Sequence, residues 1–351
     1  MAEMDDGTSV ATTLDQALDP RWLGAALHDY SGGREVVAVE TVEVLRTMAT
    51  KARFTVRFAG DDAVHAFCLK AFLDVENAAS QGGATTVLEA DFYTKVAPHV
   101  AVRVPTLIAS AIDRSAPLGL IIMRDLISEG ARFCTALEAF TADEAAQSLE
   151  QIAELHAGKA LLDRYDWIQP RVGQLARSGF MPAEVLQGLL DGPRGRNLSP
   201  AVRNAERLLA GVGALADRDA TREQFLVHGD SHAGNIYRDA QGRPGLIDWQ
   251  LLQRGGWALD LAYHINAVLD VSLAATEERR LLNHYLGIMR GRGFAMPDDE
   301  TAWTQYREAV IYGYFLWAIT RRVDPPIIEL FVDRLGQAVT RLESHALLGI
   351  A

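Results

Sequence analysis

The stretch that most constrains the fold of this chain is residues 225–250, where two short apolar runs each lead into an acidic residue. The first run precedes His-Gly-Asp, which ends at Asp230, and Asn235 follows after four further residues. The second run ends at Asp248. Phosphoryl transfer needs a carboxylate for the accepting hydroxyl and oxygen ligands that hold Mg²⁺ against the phosphates. The pattern therefore indicates Asp230 for the first task and the pair Asn235 and Asp248 for the second.

This spacing, H-G-D-x4-N followed by I-D-W, resembles the corresponding loops of the aminoglycoside and choline kinase-like phosphotransferases, with Gly229 where protein kinases usually carry arginine. Two further motifs resemble the ecdysteroid-kinase-like branch of that family. They are E-x-x-F-Y at residues 89–93 and Leu-His-Ala at residues 155–157. The resemblance covers about residues 20–345.

The resemblance implies an α+β fold of the protein-kinase-like, two-lobe type. Residues 1–126 would form a small nucleotide-binding lobe built on an antiparallel sheet, together with the hinge. Residues 127–351 would form a larger, mainly helical lobe that carries the catalytic loop and the acceptor site. Bound ATP and Mg²⁺ are implied in the same way, as is a small-molecule partner that supplies a hydroxyl group.

Composition narrows the class of partner. The net charge of −12 argues against a nucleic-acid partner, because phosphate backbones are bound by basic surfaces. A negative net charge is compatible with a cationic or neutral substrate. It also keeps a protein soluble, which is the alternative explanation. Two cysteines, Cys68 and Cys134, lack C-x-x-C spacing, which indicates neither a disulfide framework nor a structural zinc site. No run of ~20 apolar residues predicts a membrane span, and residues 1–20 are too acidic for a signal peptide, which favours the cytoplasm.

Three strand-like runs are predicted in the N-terminal part, at residues 36–45, 52–59 and 64–72. Turn residues at 60–62 predict a hairpin between the second and third runs. A helix is predicted on each side of these runs, at residues 20–30 and 85–96.

Cys68 and Lys70 share one face of the third strand, because side chains alternate along a strand. The family resemblance implies that Lys70 grips the α- and β-phosphates, that Cys68 covers the adenine, and that Glu89 pairs with Lys70. A solvated lysine at a strand end, a buried thiol and a surface glutamate are the alternatives that the residues themselves leave open.

The segment 118–126 resembles the linker between the lobes, whose backbone recognises adenine in this family. Met123 would then lie at the back of the nucleotide pocket, with the carbonyl of Arg124 and the N–H of Leu126 facing the base. Relatives usually carry glutamate at the position of Arg124, and only the backbone of that residue is expected to matter.

The expected phosphate loop, residues 46–51, departs from the usual pattern because it contains no glycine. Thr47 or Thr50 is the candidate there for holding a phosphate. His228 and His232 are four residues apart, which suits zinc on a helix, but a loop after a strand is predicted here.

Two other residues are predicted to be structural. His156 lies on an apolar helical stripe and is expected to be a hydrogen-bonded core histidine rather than a catalyst. Asp260 opens a predicted helix, where a carboxylate can accept backbone N–H groups or stiffen the catalytic loop. The aromatic residues of the helical C-terminal part are expected to be core.

The sequence therefore predicts an ATP- and Mg²⁺-dependent kinase that phosphorylates a hydroxyl group of a small molecule. The resemblance to the ecdysteroid-kinase-like branch implies a hydrophobic alcohol, whereas the wider family also includes kinases of aminoglycosides, choline and sugars. A nucleotide-binding pseudokinase with a regulatory role is the alternative. A protein kinase is disfavoured, because Trp249 follows Asp248 and no Ala-Pro-Glu segment closes an activation loop downstream.

Overall fold

The computed structural model describes residues 9–47, 49–76 and 82–350. Its N-terminal part is built on a five-stranded antiparallel sheet with the order β1-β2-β3-β5-β4. The three predicted strand runs are all present, and two further strands follow. The strands are β1 Val36–Arg46, β2 Thr50–Phe58, β3 His65–Ala71, β4 Leu107–Asp113 and β5 Leu118–Arg124.

Buried and less buried residues alternate along β2. Phe54, Val56 and Phe58 are each 1% exposed and pack into the core of this lobe, whereas the residues between them are only partly covered. The predicted hairpin turns at Gly60, whose φ of +73° is readily adopted only by glycine. The turn brings β2 and β3 into antiparallel register. Side chains on the face of these strands that lies away from the core, such as Arg53 and Cys68, point toward the space between the two lobes.

In the described part of the chain, α-helices flank this sheet. The helix predicted over residues 20–30 is divided in two, because the chain leaves helical geometry at Leu27. The predicted helix at 85–96 is α-helical only to Asp91 and continues as a π-helical turn, Phe92–Val96. The helices are α1 Leu14–Ala17, α2 Pro20–Ala26, α3 His28–Ser31 and α4 Ala84–Asp91.

The C-terminal part is mainly helical. Its first long helix starts with a capping box, in which Thr141 and Glu144 satisfy each other's backbone N–H groups. The helices are α5 Ala142–Ala157, α6 Gln174–Arg177, α7 Ala183–Asp191, α8 Ala205–Asp219, α9 Ala258–Val268, α10 Val271–Gly291, α11 Asp299–Ile319, α12 Pro325–Arg341 and α13 Ser344–Leu347.

Five short strands lie among these helices and present the loops of the site. They pair as β10–β7 and β6–β8–β9. Their bounds are β6 Arg132–Phe133, β7 Phe225–Val227, β8 Ile236–Arg238, β9 Pro244–Leu246 and β10 Gln253–Gly255. The antiparallel-sheet lobe and the helical lobe together confirm the expected α+β, two-lobed fold.

Helix α9 is the centre of the helical lobe, because every one of its residues is buried. A helix that is covered on all sides is held by its neighbours, here mainly α11, α12 and α5. Its first turns carry Asp260 and Tyr263 toward the strand ends of the site. No helix among residues 9–47, 49–76 and 82–350 has the length and apolar character needed to cross a membrane.

Candidate active site

The HGD loop, residues 228–235, leaves β7 and is anchored by Asp260 on α9. The fully buried Asp260 carboxylate accepts the backbone N–H of His228 (2.7 Å) and of Gly229 (2.9 Å). It also accepts Nε2–H of His156 (3.2 Å), whose other ring nitrogen contacts Tyr285. Burial alone would raise the pKa of Asp260, but these donors hold it below its usual value. The structure thus confirms structural roles for both His156 and Asp260.

Gly229 occupies a position that no other residue could fill without a shift. Its φ is +80°, and a Cβ there would lie 2.4 Å from the carbonyl oxygen of Leu251. Its own carbonyl accepts the hydroxyl of Tyr312 at 2.9 Å. An arginine, as in protein kinases, has no room at this point of the loop.

Each oxygen of the Asp230 carboxylate accepts a side-chain hydrogen bond, and Nε2 of His232 lies 3.6 Å from Oδ2. Oδ1 accepts the hydroxyl of Tyr263 (2.9 Å), and Oδ2 accepts the side-chain amide of Asn235 (3.0 Å). Tyr263 in turn accepts Nε1–H of Trp317 (2.6 Å). Burial and the nearby Asp230 raise the pKa of Tyr263 well above its usual value, so it remains a donor. The Asp230 side chain is 26% exposed, which leaves it accessible to a substrate.

Asp248 follows β9 and has a left-handed backbone conformation, with φ +67°. Non-glycine residues seldom adopt this region, and such conformations concentrate at functional sites. His228 links this turn to the HGD loop, because its Nε2–H donates to the carbonyl of Ile247 (3.0 Å) and its Nδ1 accepts the N–H of Asp230 (3.1 Å). The N–H of Ile247 also donates to the carbonyl of Asn235 (3.0 Å). The three oxygen-bearing side chains at 230, 235 and 248 are thereby tied to one framework.

Lys70 on β3 joins the sheet to this framework. Its Nζ lies 2.7 Å from Oε2 of Glu89 and 2.9 Å from Oδ1 of Asp248. Burial would lower the pKa of Lys70, but the two carboxylates raise it, so the ammonium stays charged. Burial also opposes ionisation of Asp248, yet Lys70 and Lys51 hold its pKa well below the usual value. Burial raises the pKa of Glu89 despite its contact with Lys70.

A cavity of about 310 Å³ opens beside this ion cluster, between the sheet and the segment after β5. Cys68 and Met123 face each other across β3 and β5 and both line it. Burial raises the pKa of the Cys68 thiol to about 11, so it remains neutral. Leu126 also lines the cavity, and within residues 9–47, 49–76 and 82–350 its N–H has no hydrogen-bond partner. An apolar slot with an unpaired backbone donor suits a planar heterocycle.

The side chain of Arg124 is used for structure. Its guanidinium donates to Glu129 (2.9 Å) and to the hydroxyl of Tyr30 (2.9 Å). This contact ties α3 to the segment between the lobes. The arginine is therefore compatible with a binding role of its backbone alone.

His228 and His232 lie in a loop after β7 and not on a helix, as predicted. Among the described residues no group of three or more His, Cys, Asp or Glu side chains could hold a metal ion. Of the predicted phosphate loop, Met48 lies outside the described residues. Thr50 is buried and its hydroxyl donates to the carbonyl of Leu73 (3.4 Å), which makes it a poor phosphate ligand.

Sequence reasoning missed three residues that the fold brings to the site: Lys51, Tyr263 and Trp317. Lys51 could have been found by extending the alternation of β2 two residues toward its start. Tyr263 lies one helical turn after Asp260, and that spacing places both on the face of α9 that meets the HGD loop. No signal in the sequence singles out Trp317 from the other aromatic residues of α11.

The sheet lobe and the helical lobe meet at Lys70, the buried Glu89 and the loops that carry Asp230 and Asp248. This arrangement defines a phosphotransferase of the kinase type. The chain belongs to the phosphotransferase enzyme family, whose model matches residues 50–297. It is accordingly an enzyme of the small-molecule kinase class.

Solved structures support the fold. An ethanolamine kinase from Plasmodium vivax matches with a TM-score of 0.53 and 12% identity, over 91% of this chain and 86% of that one. A spectinomycin phosphotransferase, solved in complex with ADP and spectinomycin, matches with a TM-score of 0.52 and 13% identity, over 89% of this chain and 95% of that one. At these identities the likeness establishes the architecture. No curated protein matches the chain by sequence.

Proposed function

We propose that this protein transfers the γ-phosphoryl group of ATP, with Mg²⁺, to a hydroxyl group of a small molecule. The observation that carries the proposal is the buried Lys70 ammonium, held between Glu89 and Asp248 at the edge of the cavity. A lysine fixed by a glutamate is the arrangement that orients an ammonium toward nucleotide phosphates in kinases. Its position beside the framework of Asp230 and Asn235 supports transfer as well as binding.

ATP fits the cavity through its three chemical parts. Cys68 and Met123 would enclose the adenine ring, and the N–H of Leu126 and the carbonyl of Arg124 would meet its polar edge. Lys70, oriented by Glu89, would hold the α- and β-phosphates. The neutral thiol and the unpaired N–H of Leu126 support this assignment.

The chemistry of Asn235 and Asp248 fits Mg²⁺. The amide nitrogen of Asn235 donates to both the carbonyl and the carboxylate of Asp230, which leaves its side-chain oxygen to bind a cation. Asp248 supplies an ionised carboxylate. Mg²⁺ is usually held by one or two such protein oxygens together with phosphates and water. When bound, the ion would neutralise charge on the phosphates.

Asp230 would align the acceptor hydroxyl and accept its proton. Tyr263 and Asn235 fix both of its oxygens, so the carboxylate is oriented before the substrate arrives. Because the transition state of phosphoryl transfer is loose, this alignment contributes more than basicity does.

The acceptor class rests on the ecdysteroid-kinase-like motifs, which support a hydrophobic alcohol as acceptor. The aromatic rings beside the HGD loop, Trp317 and Phe331, have centroids 5.1 Å and 5.3 Å from that of His232 but are themselves buried in the core. We also assign residues 1–126 to the nucleotide-binding lobe with its hinge and residues 127–351 to the lobe with the acceptor site.

The test separates transfer from nucleotide binding. General base catalysis typically contributes ~10²- to 10⁴-fold, so Asp230→Ala should lower kcat by at least about 10²-fold while calorimetry finds nearly unchanged ATP affinity. Asp248→Ala should weaken ATP binding when Mg²⁺ is present and much less in EDTA. An unchanged kcat in Asp230→Ala would refute the assignment of Asp230 as the residue that aligns the acceptor and accepts its proton.

A screen of hydroxyl compounds with labelled ATP then addresses the acceptor. ATP binding with no phosphorylated product from any compound would instead favour the pseudokinase alternative. The ionised Asp248 and the oriented Asp230 favour the enzyme.

A further inference from the structure

The turn between β1 and β2 is short and contains no glycine. The two strands pair as far as Arg46 and Thr50, so only residues 47–49 connect them. Thr47 donates its hydroxyl to the carbonyl of Ala49 (3.1 Å) within this turn. A glycine-rich loop holds phosphates through several backbone N–H groups that approach closely. In this turn the N–H of Thr47 donates to the carbonyl of Ala49 (3.2 Å), and Met48 lies outside the described residues.

Lys51, the second residue of β2, lies where such a loop would act. It is the register partner of Lys70 on β3, so the two lysines are neighbours on the same face of the sheet. Its Nζ lies 4.0 Å from Oδ2 of Asp248, while Lys70 contacts the other oxygen of the same carboxylate. Lys51 also lines the cavity, and its side chain is 32% exposed.

The contact between Lys51 and Asp248 is too long to be a hydrogen bond, since donor and acceptor are normally within ~3.2 Å. Asp248 also has a closer cationic partner, because Nζ of Lys70 lies 2.9 Å from its Oδ1. Among residues 9–47, 49–76 and 82–350 no side chain or carbonyl accepts a hydrogen bond from Nζ of Lys51, so its three N–H donors are available to a ligand in a cavity that holds a second ammonium beside it. Two neighbouring ammonium groups at the rim of one cavity suit an anion with several charges.

We propose that Lys51 is a second phosphate-binding residue, which supplies by a side-chain charge what a glycine-rich loop supplies by backbone N–H groups. The inference rests on the proposed ATP-dependent function and adds a residue to it. The ligand group that Lys51 recognises is the di- or triphosphate of the nucleotide and not the nucleoside.

The expected effect is selective for phosphates. Charge-assisted hydrogen bonds are about twice as strong as neutral ones, so Lys51→Gln should weaken binding of ATP and of ADP about tenfold or more. Adenosine should bind the variant and the wild type equally. Lys51→Arg, which keeps the charge, should retain most of the affinity for ATP.

The measurement is calorimetry of the full chain with ATP, ADP and adenosine, each in EDTA and in Mg²⁺. Arg57→Gln is the matched control, because Arg57 lies on the same face of β2 but six residues further along, about 20 Å away at the rise of a strand. It removes the same charge from an exposed site and should leave all three affinities unchanged. Thermal melting of each variant checks that the fold is intact.

The outcomes separate this inference from the proposed function. If the wild type binds ATP and Lys51→Gln binds it equally well, Lys51 is only an ion-pair partner of Asp248 and the inference is wrong. An equal loss for ATP and adenosine would also refute it, since that points to local damage. If the wild type itself binds no nucleotide, the proposed function fails first.

Discussion

The contact between Tyr263 and Asp230 allows a sharp test of how the acceptor carboxylate is oriented. Tyr263→Phe removes the hydroxyl that donates to Oδ1 of Asp230 (2.9 Å) and leaves the ring in its packed position. Asn235 would then be the remaining side-chain amide or hydroxyl donor to this carboxylate in the described part of the chain. The carboxylate is expected to rotate more freely, with ATP binding unaffected.

The size of the effect follows from the type of bond. Hydrogen bonds to charged groups contribute ~1.5–3 kcal/mol, and the partial exposure of Asp230 favours the lower end. Since each ~1.4 kcal/mol is a factor of ten in rate, kcat should fall about 10- to 30-fold with little change in the KM for ATP. Stability should fall too, by about 1–3 kcal/mol, because Nε1–H of Trp317 loses its acceptor.

Steady-state phosphoryl transfer and urea unfolding measure these two effects separately. Tyr312→Phe is the control, since its hydroxyl donates to the carbonyl of Gly229 and leaves the Asp230 carboxylate alone. It should cost stability and leave kcat closer to wild type. A double-mutant cycle with Asp230→Asn isolates the coupling. If Tyr263→Phe slows the Asp230→Asn variant as strongly as the wild type, Tyr263 does not act through Asp230 and the reasoning is refuted.

Three further outcomes are expected. Gly229→Ala should lower the free energy of unfolding by about 2 kcal/mol or more in chemical denaturation, because the left-handed backbone and the carbonyl of Leu251 both oppose a Cβ; a variant as stable as wild type would contradict this. Asp260→Ala should cost about 3–5 kcal/mol by the same measurement, since buried donors from His156, His228 and Gly229 lose their acceptor; a cost below 1 kcal/mol would argue against an anchor. Burial lowers the pKa of His264 from 6.5 to about 4. The unfolded chain therefore binds this proton more readily, so the contribution of neutral His264 to the free energy of unfolding is complete above pH 6.5. It is lost as the pH falls toward 4, by about 3 kcal/mol at most. Unfolding curves at pH 7.5 and 5 should therefore differ less in His264→Gln than in the wild type, and equal differences would count against the assignment.

Much of the fold was predictable because it depends on local signals. The alternation of Phe54, Val56 and Phe58 predicts β2, and the glycine at the turn predicts the hairpin that follows. Thr141 and Glu144 predict the start of α5 because both partners of the capping box lie within one helical turn. The break at Leu27 was not predicted, since the apolar residues around it suit one continuous helix as well as two short ones.

The candidate site also has a part that the sequence predicts and a part that it does not. The spacing of Asp230, Asn235 and Asp248 along the chain is a property of the sequence by itself, and so are the apolar runs that precede the two acids. The order in which Lys70 and Glu89 precede them is likewise a property of the sequence. These residue types can neutralise phosphate charge, bind a cation and accept a proton. The sequence determined which groups are available.

Only the tertiary structure decided how those groups are held. Asp260 meets His156 across 104 positions of the chain, and Trp317 reaches Tyr263 across 54. Such contacts leave no local pattern, because they depend on how the buried α9 packs against α5 and α11. The approach of Lys51 to Asp248 likewise requires the register of β2 on β3 and the meeting of the two lobes. Local sequence specifies strands, turns and helix ends through short-range sterics and hydrogen bonds, whereas burial against distant segments sets the orientation and charge of each group in the site.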